Sequence, residues 1–211
     1  MFTRSSVQQL FPALVWSQQV EPERAAVIDA LLLDGVRRMR AGGAGSAPGV
    51  AWQSRNNLQD NPALAPVVEM ARAGADKVLD FLAVASRDIA VTGMWLNINP
   101  PGAPHVMHNH PNNYLAGTYY VRAGAGADHI QFHDFRLQTQ AILPRFSRET
   151  PYNSATHRVT VQPGLLILFP AWLPHSVGPN ASAEDRISLS FNINFRNFTE
   201  TLSPPSWQPD A

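Results

Sequence analysis

The sequence predicts a mainly β protein, an antiparallel barrel or double-sheet roll, with a helical layer contributed by its N-terminal part. Three observations carry this. From residue 89 onward short alternating runs succeed one another between Gly, Pro and Asn turns, with no helical pattern among them. Before residue 89, two stretches repeat apolar residues at helical spacing. Eighteen prolines in 211 residues suit a loop-rich β chain better than a helical bundle.

The length suits a single domain with a sizeable core, divided here into a helical part (1–88), a β core (89–198) and a tail (199–211). Sixteen basic and sixteen acidic residues cancel, which argues against a broad surface for nucleic acid or anionic membrane. With no cysteine, disulfides, thiolate nucleophiles, iron–sulfur clusters and Cys-ligated zinc are excluded. The first ten residues hold no apolar signal core and no run is long enough to span a bilayer, so a cytoplasmic protein is expected.

In chain order, Leu10–Trp16 is an apolar run broken by Pro12, read as an edge strand or a lead-in. From Glu21, Ala26, Ile28, Leu31, Leu32, Val36 and Met39 mark a helix. Arg37, Arg38 and Arg40 suit the negative end of its dipole, and Gly42-Gly43 stops it. Ala41–Pro48 reads as loop. A second helix is expected over Pro62–Ala83. Strands follow at 89–99, Tyr114–Val121, His129–Phe135, His157–Val161, Leu165–Phe169 and Arg186–Phe195. The last is the clearest. Ile187, Leu189, Phe191, Ile193 and Phe195 form one face; Arg186, Ser188, Ser190, Asn192 and Asn194 form the other. One cation among small neutral groups suits the lining of a polar cavity, with the helices covering the apolar face. The tail is proline-punctuated surface, with Trp207 as its one candidate to dock.

The chemistry concentrates around His105–Val121. In an extended segment residues i and i+2 face the same way, so His108 and His110 can meet at one metal ion. His175, directly after a buried-looking strand, adds a third imidazole from the distance typical of two facing strands. Any one histidine is more often structural than a ligand; three converging rings suit iron, zinc, copper or nickel. Arg186, with Ser188 two residues on, can hold a carboxylate in a two-pronged grip. Tyr120 shares a face with Tyr114, Ala116 and Thr118, and its phenol can join that grip. Tyr119 reads as ordinary sheet packing.

Taken together, H-N-H-P, Y-L-A-G-T-Y-Y-V, F-H-D-F-R, P-G-L-L-I-L-F-P-A-W-L-P-H-S-V and R-I-S-L-S-F-N resemble the 2-oxoglutarate- and iron(II)-dependent oxygenases. They are most similar to a bacterial and phage-associated group of that superfamily. The resemblance spans roughly Trp95 to Asn194. It implies a double-stranded β-helix, or jelly roll, with iron(II) at its open end. His108 would be the first ligand and His175 the distal one, while Arg186, Ser188 and Tyr120 would bind the far carboxylate of 2-oxoglutarate. The reaction implied is oxidation of a bound substrate coupled to conversion of 2-oxoglutarate to succinate and carbon dioxide.

One departure matters. Most such oxygenases carry His-x-Asp or His-x-Glu, and here His110 stands at the carboxylate position. Either His110 is the third ligand or a carboxylate such as Asp134 replaces it; Asp134, His133 and Arg136 could equally form a loop ion pair. A site of three imidazoles is one unit more positive, and three histidines is also a zinc arrangement. Trp95, Asn97, Asn112, Asn113 and Trp172 are candidates for the substrate mouth. Two rivals stand beside the oxygenase: a cupin-like three-histidine metal enzyme that uses no 2-oxoglutarate, and a non-catalytic ligand-binding jelly roll. The sequence leaves open whether the substrate is a small molecule or a protein side chain, and whether the chain forms a homodimer.

Overall fold

A computed structural model describes residues 1–42, 49–136 and 144–197. Two helices, one large antiparallel sheet and one small sheet lie in three layers, the large sheet in the middle. The expected loop over Ala41–Pro48 and the tail with Trp207 lie almost wholly outside the described residues.

Helix α1 spans Pro22–Ala41, with proline and Glu23 in its first turn and Arg38 and Arg40 in its last. It buries Ala25, Ile28, Leu32 and Val36 and half-buries Leu31 and Met39, the stripe that the spacing predicts except that Ala25 is buried in place of the exposed Ala26. Helix α2 spans Ala65–Phe81, and the expected start at Pro62 is instead a separate 3-10 turn, Pro62–Leu64. Pro66 is the reason. It lacks an N–H and its ring would meet the carbonyl of Pro62, so a continuous helix cannot run through it.

The large sheet has the order β1-β8-β5-β10-β3-β2, formed by Trp16–Gln19 (β1), Trp52–Gln53 (β2), Ile89–Asn99 (β3), Leu115–Arg122 (β5), Leu165–Pro170 (β8) and Arg186–Phe195 (β10). The small sheet has the order β4-β9-β6-β7, formed by His105–His108 (β4), His129–His133 (β6), Thr156–Thr160 (β7) and His175–Val177 (β9). All strand pairs are antiparallel. This is the double-stranded β-helix expected, packed on helices.

Period-two alternation splits the apolar residues between two cores. Met94, Leu96 and Ile98 of β3, Leu115 and Tyr119 of β5, Leu166 and Leu168 of β8, and Ile187, Leu189, Phe191 and Ile193 of β10 face the helices. Ala116, Tyr120, Ile167 and Phe169 face the small sheet, where they meet Ile130, Phe132 and Leu173. Tyr119 is sheet packing, as read, and its hydroxyl also donates to Asp29 of α1 at 2.9 Å.

Four differences from the sequence reading have local causes. The early edge strand is Trp16–Gln19 rather than Leu10–Trp16, because Pro12 cannot donate to a ladder and Phe11 takes φ 54°. The run expected to Phe135 leaves its strand at His133, where the Asp134 amide turns to the Ala155 carbonyl. Tyr114 precedes β5 and packs with Phe195 at 5.0 Å on the helix side, so it does not share the face of Tyr120. Strands β4 and β9 were not expected; four and three residues are too few for a period to show.

Candidate metal centre

The three predicted imidazoles converge at the mouth of the roll. His108 ends β4 and His175 begins β9, and the two are register partners across the small sheet. His110 lies just beyond β4, where its amide donates to the Ala171 carbonyl at 2.8 Å. One ligand atom from each ring lies within 4.8 Å of the others. The ring centroids stand 4.3 Å apart for His108–His175 and 5.1 Å for His110–His175.

The free nitrogens can be named. Nδ1 of His108 is 2.8 Å from the Val106 carbonyl and Nδ1 of His175 is 3.0 Å from the Leu173 carbonyl. A carbonyl only accepts, so both Nδ1 atoms carry the proton and both Nε2 atoms keep their lone pairs. The same carbonyl two residues upstream thus serves each ring as the outer acceptor that metal-ligating histidines use. Nε2 of His110 lies 3.3 Å from Nε2 of His175. Nitrogens bound to one ion at about 2.1 Å, at tetrahedral or octahedral angles, stand about 3.0–3.4 Å apart, so this pair is spaced as shared ligands are.

Burial favours the neutral form of His110 and His175. It pushes His175 down to about 3 and His110 to about 4; the charge of His108 adds to both, while the Leu173 carbonyl and Asn192 respectively oppose. Trp95 stacks on His110 at 5.7 Å.

Behind the rings, one cavity is lined by Arg186, Ser188 and Ser190 of β10, Tyr120 and Thr118 of β5, Trp95 and Asn97 of β3, and the three histidines. Part of this lining is satisfied within the protein. Gln53 Nε2 donates to Asn97 Oδ1 at 2.9 Å, Asn97 Nδ2 donates to Ser190 Oγ at 2.9 Å, and Thr118 Oγ1 lies 3.4 Å from Ser190 Oγ. The rest is not. Arg186 is 3% exposed, its Nη1 reaches only the His129 carbonyl at 3.5 Å, and its Nε has no partner. Tyr120 is fully buried, its hydroxyl has no partner, and the Arg186 guanidinium lies 5.2 Å from its ring centre. Burial raises the Tyr120 phenol above its ordinary value, so it stays a donor. A buried guanidinium without a carboxylate partner among the described residues is costly on its own. These two donors suit an anion at the foot of the cavity, and the donor set at its mouth suits a metal.

Asp134 is engaged elsewhere: Arg136 Nε and Nη2 donate to its two oxygens at 2.9 and 3.0 Å. It lines a shallow cavity beside Leu10–Pro12 instead. Of the mouth candidates, Trp95 and Asn97 line the metal cavity. Asn113 accepts from Thr92, Asn112 shapes a turn at φ 64°, and Trp172 packs edge-on against Phe135, all outside that lining. Gln53 and His105 also line the cavity and were not anticipated. Gln53 sits in a two-residue strand without a readable period. His105 is three residues from His108, a spacing that places it on the opposite face of a regular strand.

No curated protein sequence matches the chain. Residues 93–192 match the family described as "Putative 2OG-Fe(II) oxygenase". Among solved structures, a Pseudomonas putida prolyl-4-hydroxylase is 16% identical with a TM-score of 0.60, over 88% of this chain and 94% of that one. A Trichoplax adhaerens prolyl hydroxylase, solved with a hypoxia inducible factor peptide fragment, is 10% identical with a TM-score of 0.57, over 90% and 87%. EctD from S. alaskensis, solved with 2-oxoglutarate and 5-hydroxyectoine, is 12% identical with a TM-score of 0.60, over 87% and 72%. These structures share the fold of this chain, and the family match covers the strands that carry every residue of the cavity apart from Gln53. Over residues 93–192, just under half of its length, the chain resembles the 2-oxoglutarate- and iron(II)-dependent oxygenases.

Proposed function

We propose that this enzyme is a hydroxylase-type oxygenase in which His108, His110 and His175 hold the iron, with Arg186, Ser188 and Tyr120 binding the distal carboxylate of 2-oxoglutarate. The observation that carries the reading is the buried, unpaired Arg186 in the same cavity as the three-histidine cluster. A metal enzyme without a dicarboxylate cosubstrate has no use for that cation.

The residues have separate tasks. The two backbone-held rings, His108 and His175, present fixed lone pairs; His110, braced by Trp95, completes a neutral donor set. Arg186 neutralises the far carboxylate while the Tyr120 hydroxyl donates to it, which orients the 2-oxo acid end towards the histidines. Iron with 2-oxoglutarate and dioxygen supplies the oxidising chemistry. Because no carboxylate joins the ligand set, anionic co-ligands bind more readily than at a two-histidine, one-carboxylate site. The same feature favours one second reading, zinc in place of iron.

The mouth beside Trp95, Asn97 and Gln53 receives a small molecule or a protein side chain. The two prolyl hydroxylases and EctD span that range, the latter two solved with a peptide fragment and with 5-hydroxyectoine. No described helix is long and apolar enough to cross a membrane. A cytoplasmic location and the absence of a broad nucleic-acid surface belong to the same proposal, and a homodimer is compatible with it. The test is to load the protein with iron(II) without oxygen and add 2-oxoglutarate. A weak visible charge-transfer band is expected, and its absence favours the zinc or cupin-like reading.

A further inference from the structure

His105 carries an observation that the ligand set does not use. Its register partner on β9 is Val177, while that of His108 is His175. Three steps along β4 are therefore opposed by two along β9, a bulge of one residue at Val106-Met107. Val177 and His175 share a face, so the bulge brings His105 onto the face of His108 and into the roll. There it lines the same cavity as Arg186, Tyr120, Ile130 and Ser188.

His105 Nε2 is buried and has no hydrogen-bond partner, as is true of Arg186 Nε and the Tyr120 hydroxyl. Three orphaned polar atoms from three strands and both sheets thus border one small cavity, whereas the neighbouring Gln53–Asn97–Ser190 belt is satisfied internally. Leaving each buried and unpaired is costly, so a ligand that pairs with all three is favoured. Ile130 and Val177 supply apolar walls and no competing partner. Burial and the adjacent Arg186 charge hold the imidazole neutral, down at about 4, so its Nε2–H form can donate without adding charge.

We propose that His105 is a third donor to the distal carboxylate of the cosubstrate, reaching it from the small sheet opposite Arg186 and Tyr120, and that it sharpens the preference for a dicarboxylate over a monocarboxylate 2-oxo acid. This rests on the oxygenase reading above. The resulting grip closes on the carboxylate from both sheets. A carboxylate only accepts, which selects the Nε2–H tautomer of His105.

The test compares 2-oxoglutarate with 2-oxopentanoate, which has the same chain but no distal carboxylate. Dissociation constants are measured by calorimetry on the iron(II)-loaded protein without oxygen, for the native chain and for His105→Phe and His105→Leu, after metal content is checked. Two variants guard against one failing to fold. The native protein is expected to prefer 2-oxoglutarate. The variants should lose roughly tenfold or more in 2-oxoglutarate affinity and bind 2-oxopentanoate as before. Unchanged 2-oxoglutarate binding in the variants overturns the role of His105 and leaves the oxygenase reading standing. Equal loss of both acids also overturns it, since His105 would then shape the site rather than read the distal group. If the native protein binds neither acid, the oxygenase reading itself fails.

Discussion

His175 is the most constrained ligand candidate: 5% exposed, its Nδ1 tied to Leu173, its Nε2 aimed at His110. Replacing it with alanine should reduce bound metal from about one ion per chain to near none while the far-UV circular dichroism stays native, as elemental analysis and spectroscopy will show. Arg186→Met should fold, since it removes an uncompensated buried charge, and should weaken 2-oxoglutarate binding by about a hundredfold or more in calorimetry. The imidazoles also set a pH dependence. Unfolded histidines titrate near 6.5, whereas His105, His110 and His175 are held down at about 3 to 4 in the fold. Below 6.5 the unfolded chain binds more protons, so the metal-free protein has its full stability above that pH and loses it as pH falls towards 4. Melting temperature against pH checks the sign. The candidate ligands and Arg186 were legible because their signal lies in residue type and in i, i+2 spacing. His105 was not, because a bulge leaves no mark in side-chain pattern.

At the scale of the element, close approach decides what the strands tolerate. Gly117 of β5 lies against Phe191 of β10: a Cβ there would come within 2.3 Å of the ring. Gly117→Ala should therefore cost roughly 1–3 kcal/mol in chemical denaturation, and Gly117→Ala with Phe191→Leu should recover part of it. Helix α2 makes a similar approach, with Gly74 against Leu166 and Leu168 of β8. The long strands β3 and β10 were readable to their end residues because one face must meet the helices, although β3 changes phase between Val91 and Gly93. The helices were readable from their stripes; only the Pro66 restart of α2 moved a boundary. The strands β4 and β9, which carry the candidate ligands His108 and His175, escaped notice because four and three residues are too few for a period to show.

Across the whole molecule, the candidate ligands divide between layers. His108, His110 and His175 belong to the small sheet and its adjoining loop, whereas Arg186, Ser188 and Tyr120 belong to the large one. In the proposed arrangement a metal alone would tie parts of one sheet, and a metal with 2-oxoglutarate would bridge both. The melting temperature should rise with iron(II) and rise further with 2-oxoglutarate, by about 2.7 kcal/mol of stabilisation at a hundredfold excess over the dissociation constant. His175→Ala should abolish both increments in a calorimetric scan. The layered arrangement was legible, since the chain separates helical from alternating segments. Strand order was not, because pairings such as β5 with β10 join residues far apart along the chain.

The surplus residue in β4 turns a question of chemistry into one of counting. Removing Met107 alone would restore even pairing along that edge, leaving His108 opposite His175 but swinging the imidazole of His105 outward into water. Such a shortened chain should keep its metal, and with Arg186 still in place should favour the diacid roughly tenfold less strongly than the native chain does.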